Sequence, residues 1–163
     1  EMVKVLCDKA RFLAVNTQLN SGNRGYHVIS RYSRADFVSL NEPEIRLATH
    51  NRHDPLEPIM EKVAKKIQTR WVAVTRGTDG AIILDCADGR FFKVPSLSMK
   101  MVDRIGAGDT FLSLASLCLG GGLPAEIAVF VGSAAAALSV ETVCNREPVD
   151  SASLYNYLTR LLR

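Results

Sequence analysis

The stretch Asp-Arg-Ile-Gly-Ala-Gly-Asp-Thr-Phe, residues 103–111, is the most informative segment of this 163-residue chain. Two glycines flank one alanine, an aspartate follows directly, and a long apolar run begins at once. The pattern predicts a helix whose first turn leaves the backbone N–H groups of Gly106, Ala107 and Gly108 available to an anion. Because glycine carries no side chain, a phosphate can approach this backbone closely.

Asp109 places a carboxylate at the mouth of this predicted anion site. A carboxylate in that position is suited to take a proton from an attacking hydroxyl, as phosphoryl transfer requires. The alternative interpretation is a plain turn before a helix, with Asp109 acting only as a favourable charge at the helix start. The segment is neither a P-loop nor a dinucleotide fingerprint, because it lacks the Gly-Lys-Ser/Thr ending and the required glycine spacing.

Composition is that of one globular domain that can bury a sizeable core, with 47% apolar and 23% charged residues and a net charge of +3. The densest basic cluster (Lys62, Lys65, Lys66 and Arg70) is interpreted as the solvated face of a helix, so no nucleic-acid partner is expected. Four widely spaced cysteines favour reduced thiols and a cytoplasmic location. The longest apolar run, 127–140, is too short to span a bilayer, so no membrane association is expected.

Apolar periodicity predicts an α/β fold, a mostly parallel sheet with helices on both faces in three layers. Strands are predicted at 12–16, 36–40, 71–75, 81–84 and 90–94, the last two joined by a hairpin turn at Asp88-Gly89. Helices are predicted at 2–9, 43–50, 55–69, 107–119 and 124–140, and a last helix is predicted with Ser151 as its N-cap. Helix 107–119 is apolar on nearly every side and is expected to be central. Because ligands gather at the carboxyl ends of parallel strands, Asn41, Thr75 and Asp109 should share one rim.

The 103–111 segment resembles the Asp-x-x-Gly-Ala-Gly-Asp-x-Phe signature of the ribokinase-like carbohydrate kinases, also called the PfkB family. Two further segments match family motifs in the same order along the chain. Residues 41–44, Asn-Glu-Pro-Glu, match Asn-x-x-Glu, and residues 75–81, Thr-Arg-Gly-Thr-Asp-Gly-Ala, match Thr-x-Gly-x-x-Gly-Ala. The loop 16–26 resembles heptose-phosphate kinases, whereas the Asp-Arg-x-Gly-Ala-Gly-Asp form is also similar to ketodeoxygluconate kinases, and the choice between them stays open.

The resemblance implies ATP-dependent phosphoryl transfer to a hydroxyl of a sugar or sugar phosphate. Asp109 is then the general base, and the amides of Gly106, Ala107 and Gly108 form the anion hole. The resemblance does not identify the sugar. It also implies a single partial domain over residues 1–163, the C-terminal, nucleotide-binding half of the fold, without the N-terminal half and the lid.

The resemblance also implies a nucleotide site with Mg²⁺. Glu44 would orient the metal through water, and Asn41, Thr75 and Gly77 would contact the nucleotide. Each has a plainer interpretation: Asn41 as a helix N-cap, Glu44 as first-turn stabilisation, and Thr75 with Gly77 as a strand-to-turn transition.

Asp103 would order the signature loop or help to hold a monovalent cation, as in some relatives. The family's cation loop contains a glycine that residues 140–145 lack, which argues against a potassium site. Ser133 stands where some relatives place an asparagine near adenine, so that contact is not carried over.

Half of such a fold would expose an apolar edge strand and face, which favours a homodimer or another association through that face. For the same reason the 163-residue chain is expected to bind ATP yet show little activity alone. The competing hypothesis is a non-catalytic nucleotide-binding or regulatory module of a larger bifunctional protein. Asp109 favours the kinase, because a pure binding module needs the glycines but no base.

Overall fold

The computed structural model describes residues 1–19, 22, 25–98, 105–141 and 148–163. The helices are α1 (Met2–Lys9), α2 (Glu42–Thr49), α3 (Leu56–Ile67), α4 (Ala107–Gly120), α5 (Ala125–Ser139) and α6 (Ser151–Leu161). The strands are β1 (Ala14–Val15), β2 (Phe37–Asn41), β3 (Trp71–Thr75), β4 (Ala81–Asp85) and β5 (Arg90–Val94). Among these residues, no helix is long and apolar enough to cross a membrane.

The five strands form one sheet in the order β1-β2-β3-β4-β5. Strands β1, β2 and β3 are mutually parallel, whereas β4 is antiparallel to both β3 and β5. Four of the five strands therefore point the same way, and the predicted mostly parallel sheet is confirmed. The predicted Asp88-Gly89 turn joins β4 to β5, and Gly89 has the positive φ of 72° that such a turn requires.

Successive side chains of each central strand point to opposite faces of the sheet and pack in two separate cores. Val38, Val72 and Ile82 pack in the core that contains Cys7 of α1 and the apolar faces of α2 and α3. Phe37, Ala73 and Ile83, on the opposite side of the sheet, pack against α4 and α5. The three-layer α/β arrangement predicted from the sequence is confirmed.

Strand β1 is shorter than the predicted segment 12–16. The backbone N–H of Leu13 donates to the carboxylate of Asp36 at 2.7 Å instead of to a neighbouring strand. The Leu13 C=O accepts from the N–H groups of Asp36 and Phe37 at 2.8 and 3.2 Å. A side chain thus replaces a ladder hydrogen bond, and regular pairing covers two residues only.

Two other expectations about helices are corrected. Helix α4 is not central: it buries Phe111, Ala115 and Leu119 along one face, whereas Leu117 on the other side is 72% exposed. Its apolar composition hid the 3.6-residue period that decides which face packs. The N-cap of α6 is Asp150 rather than Ser151, because the Asp150 carboxylate accepts from the N–H groups of Ala152 and Ser153.

The packing of α4 on α5 fixes the start of α4 at the rim of the sheet. A Cβ atom at Gly132 of α5 would lie 3.0 Å from the ring of Phe111 and 3.2 Å from Ala115. The missing side chain of Gly132 therefore lets α5 approach the first turns of α4 closely. On the same rim, strand register sets Asn41 beside Thr75.

Candidate active site

A cleft of about 1060 Å³ lies at the carboxyl ends of β2 and β3. The starts of α2 and α4, the loop Asn16–Gln18, the segment 95–98 and, from α5, Ser133, Ala136 and Ala137 contribute further lining. Seven of the predicted site residues line it: Asn41, Glu44, Thr75, Gly77, Ala107, Gly108 and Asp109. Gly106 adjoins them as the N-cap of α4, and Asp103 lies outside the described residues. The prediction that Asn41, Thr75 and Asp109 share one rim is confirmed.

The N-terminus of α2 is closed by its own side chains. Asn41 Oδ1 accepts a hydrogen bond from the Glu44 N–H at 2.8 Å, and Glu44 Oε2 accepts from the Asn41 N–H at 2.8 Å. This reciprocal pair is a capping box, so the plainer interpretation of both residues holds. A ligand role remains compatible with it, because the Asn41 Nδ2 group still carries two donors.

The carboxylate of Glu44 is held in a half-buried position. Its second oxygen, Oε1, accepts from the N–H of Leu19 at 3.2 Å, which ties the loop that follows β1 to α2. Burial raises the pKa of Glu44 above its ordinary value of 4.5; hydrogen bonds from Asn41 and Leu19 oppose the rise, and the charge of Asp109 adds to it. Glu44 and Asp109 thus line the same cleft, and the negative charge of Asp109 disfavours ionisation of Glu44.

The N-terminus of α4, in contrast, starts at Gly106 and has no side-chain cap from the residues that the structure describes. Gly106 adopts φ 84°, and its C=O accepts the first helical hydrogen bond from the N–H of Thr110 at 2.9 Å. The N–H groups of Ala107, Gly108 and Asp109 precede that bond, so the helix geometry adds Asp109 to the predicted donors. A Cβ atom at Gly108 would meet nothing within 4 Å, which leaves room for a ligand above this turn.

The two glycines after Thr75 have different roles. Gly77 begins a short 3₁₀ turn at φ 59° and faces open space on the cleft side. Gly80 has φ 80°, and a Cβ atom there would lie 2.0 Å from the Val94 C=O. Gly80 is therefore required by the close approach of this loop to β5, whereas Gly77 is free to face a ligand.

Sequence reasoning missed the charged residues Glu42, Arg46 and Arg76, all of which line the cleft. The Glu42–Arg46 ion pair follows from their i,i+4 spacing on α2, with Nη2 and Oε1 2.8 Å apart. Arg76 carries no comparable signal, because it lies in a loop and meets Glu42 only in the fold. Ser133 also lines the cleft, and its buried Oγ atom has no hydrogen-bond partner within the described structure.

The carboxylates present fit Mg²⁺ held mainly through water and phosphate. Among the described residues, no group of three or more His, Cys, Asp or Glu side chains could hold a metal ion. Mg²⁺ retains several waters and is commonly bound through one or two carboxylates plus substrate phosphates. Glu44, with Asp109 nearby, supplies that kind of donor set.

Comparison with known proteins decides the family. A model of the pfkB family carbohydrate kinases matches residues 2–152. The chain belongs to the pfkB family of carbohydrate kinases. This pfkB chain is 38% identical over 133 residues to the bifunctional protein HldE of Trichlorobacter lovleyi and 27% identical over 142 residues to that of Nitrobacter hamburgensis. These matches cover 77% and 85% of the chain but only 27% and 28% of the relatives, so the chain spans little more than a quarter of their length.

Solved structures confirm the ribokinase-like fold. Ribokinase from Thermotoga maritima matches 97% of the chain with a TM-score of 0.78 and 22% identity. Phosphofructokinase-2 from Escherichia coli, in complex with potassium, matches 99% with a TM-score of 0.81 and 17% identity. The matched parts are 52% and 51% of those two chains, so this pfkB chain corresponds to about half of each fold.

Proposed function

We propose that this pfkB chain supplies the ATP-binding and phosphoryl-transfer half of a kinase that phosphorylates a hydroxyl of a sugar or sugar phosphate. The observation that carries the proposal is the juxtaposition, in one cleft, of an uncapped helix N-terminus at Gly106–Asp109 with the carboxylate of Glu44. An uncapped N-terminus offers N–H groups and a positive dipole end to phosphate. The carboxylates supply a base and an anchor for metal-bound water.

Asp109 acts as the general base. Its carboxylate accepts the proton of the acceptor hydroxyl while that oxygen forms a bond to the γ-phosphorus of ATP and the bond from phosphorus to the ADP oxygen breaks. The amides of Gly106, Ala107, Gly108 and Asp109 stabilise the charge on the transferred group. Such fixed donors act where charge develops and need no reorganisation during the reaction.

The remaining cleft residues bind and orient the nucleotide. Glu44 holds Mg²⁺ through water, and the metal when bound neutralises charge on the phosphates. The Nδ2 group of Asn41, the hydroxyl of Thr75 and the backbone at Gly77 bind the phosphates from the ends of β2 and β3.

The 163-residue chain alone is expected to bind ATP or ADP but to transfer little phosphoryl group. It matches about half of the ribokinase-like structures, and contacts to the acceptor and a lid are needed to position the hydroxyl and exclude water. We further expect the chain to associate, with itself or with a complementary half, through an exposed apolar surface that includes Met2, Val5 and Leu6 of α1.

The test is calorimetric titration of the chain with ADP, joined to a coupled assay of ADP release by the complete gene product over a panel of sugars and sugar phosphates. We expect ADP binding by the chain and turnover by the complete protein. Absence of ADP binding would contradict the proposed site. Binding without turnover on any sugar would favour the non-catalytic module instead.

A further inference from the structure

Two arginines line the cleft, and they are held very differently. Arg46 Nε donates to Glu42 Oε1 at 2.9 Å, Arg46 Nη1 donates to the Asp54 C=O at 3.0 Å, and Nη2 lies 2.8 Å from Glu42 Oε1. Three of its nitrogens thus have close partners. Arg46 is committed to holding α2 against the loop that contains Asp54.

The side chain of Arg76, in contrast, makes only long contacts with the residues that the structure describes. Its Nε lies 3.6 Å from Glu42 Oε2 and has no hydrogen-bond partner among the described residues, although the atom is buried. Its Nη2 lies 3.4 Å from a carboxylate oxygen of Asp79, a side chain that is itself 66% exposed. A guanidinium carries five N–H donors, so most of the capacity of Arg76 is not used in short hydrogen bonds to these carboxylates.

Position adds to this difference. Arg76 lies between Thr75 and Gly77 at the end of β3, in the wall of the cleft, and its side chain is 31% exposed. The Arg76 N–H donates to the Gly80 C=O at 2.8 Å, so the backbone is fixed while the side chain is loosely held. A cation on a fixed backbone and with spare donors is suited to bidentate binding of phosphate oxygens.

We infer that Arg76 binds the phosphates of the nucleotide, exchanging its long contacts with Glu42 and Asp79 for short, charge-assisted hydrogen bonds. This inference rests on the proposed nucleotide site. The exchange leaves no buried charge unpaired, because Glu42 keeps its ion pair with Arg46 and Asp79 is mostly solvated. Arg76 is thereby a phosphate-binding residue at the end of β3, in the cleft that the start of α4 also lines.

The experiment compares Arg76→Gln, Arg76→Lys and Arg90→Gln with the wild-type chain, using ADP and adenosine as ligands in calorimetric titrations. Arg90 is the matched control, since its Nε pairs with Asp88 on the exposed β4–β5 turn and the substitution changes the net charge equally. Thermal unfolding of each variant shows that it is folded at the titration temperature.

Arg76→Gln should weaken ADP binding roughly 10- to 100-fold, the range expected for a hydrogen bond to a charged group, and leave adenosine binding unchanged. The ADP affinity of Arg76→Lys should lie between those of Arg76→Gln and the wild type, because lysine keeps the charge but lacks the planar guanidinium. Arg90→Gln should bind ADP as the wild type does.

The outcomes separate this inference from the proposed function. ADP binding of wild-type strength in Arg76→Gln would overturn the role of Arg76 and leave the nucleotide site standing. An equal loss of ADP and adenosine binding would also overturn it, because that loss points to a structural role in the loop. Failure of the wild-type chain to bind ADP would overturn the proposed function, and the inference with it.

Discussion

The N-termini of α2 and α4 line the same cleft, but they differ in whether side chains cap their first N–H groups. Helix α2 satisfies its first N–H groups with its own Asn41 and Glu44 side chains, at 2.8 Å in each direction. Helix α4 begins after Gly106 with no side-chain cap within the described part of the chain, and space remains above Gly108. A side-chain cap stabilises a helix by about 1 kcal/mol, so omitting it at α4 forgoes stability that a bound anion can restore. Under the proposed function, α2 positions carboxylates, whereas α4 is left open to bind phosphate.

The largest effect is expected from substitution of Asp109, the carboxylate in the first turn of α4. In the complete gene product, Asp109→Asn should lower kcat by about 10²–10⁴-fold, the usual contribution of a general base. ADP affinity should be kept or increased, because the amide removes a negative charge beside the phosphates. Steady-state kinetics and ADP titration measure the two quantities separately. Near-normal kcat would remove Asp109 as the base. Loss of ADP affinity together with loss of turnover would instead indicate a structural role, with Asp109 holding the loop and the helix start in place.

A second prediction separates the capping and metal roles of Glu44. Glu44→Gln keeps one acceptor oxygen for the capping box but removes the charge, so the Mg²⁺ requirement of turnover should rise about tenfold while stability changes by no more than about 1 kcal/mol. Titration of activity against Mg²⁺, with denaturant unfolding in parallel, tests this. An unchanged Mg²⁺ requirement would reduce Glu44 to its capping role.

The pH dependence of stability provides a second test with the Glu44→Gln variant. Burial raises the pKa of Glu44 in the folded chain above its ordinary value of 4.5, so folding is favoured by protonation. This contribution of Glu44 to the free energy of unfolding is fully present below the pKa that Glu44 has in the unfolded chain. It is lost as pH rises through the pKa that Glu44 has in the folded chain. Wild type should therefore gain stability relative to Glu44→Gln as pH falls through that window, which unfolding at several pH values measures. A constant difference across pH would contradict the raised pKa.

The smallest effect is expected at the capped N-terminus of α2. Asn41→Ala should lower the free energy of unfolding by about 1 kcal/mol, since it removes the α2 cap. Asp150→Ala is the matched control, because Asp150 caps α6 and does not line the cleft. Both variants should lose similar stability in chemical unfolding, and only Asn41→Ala should also weaken ADP binding. Equal ADP affinity in the two variants would leave Asn41 as a cap alone.

Much of this arrangement could be predicted from local sequence. The bounds of β3 and the turn at Asp88-Gly89 follow from short-range patterns, and the parallel rim follows from strand–helix alternation. The half-exposed position of α4 could not be predicted, because an almost wholly apolar helix hides which face packs on the sheet. The Arg76–Glu42 contact joins the end of β3 to the start of α2, so no local pattern indicates it.

The most direct test of phosphate binding at the start of α4 is Gly108→Ala, with Gly120→Ala in the same helix as its control. Neither new methyl group meets a close obstacle: Gly108 faces open space, and at Gly120 the nearest atoms are those of Phe12 at 3.6 Å. Both variants should be as stable as wild type or more so by up to about 1 kcal/mol, because alanine favours helix. Thermal unfolding of both variants checks this expectation.

ADP titration of the two folded variants then decides the central claim. A methyl group at Gly108 occupies the space that a phosphate needs, so ADP affinity should fall at least tenfold, about 1.4 kcal/mol. Gly120→Ala should bind ADP as the wild type does. Wild-type ADP affinity in Gly108→Ala would contradict the account, because the uncapped start of α4 would then not be where phosphate binds.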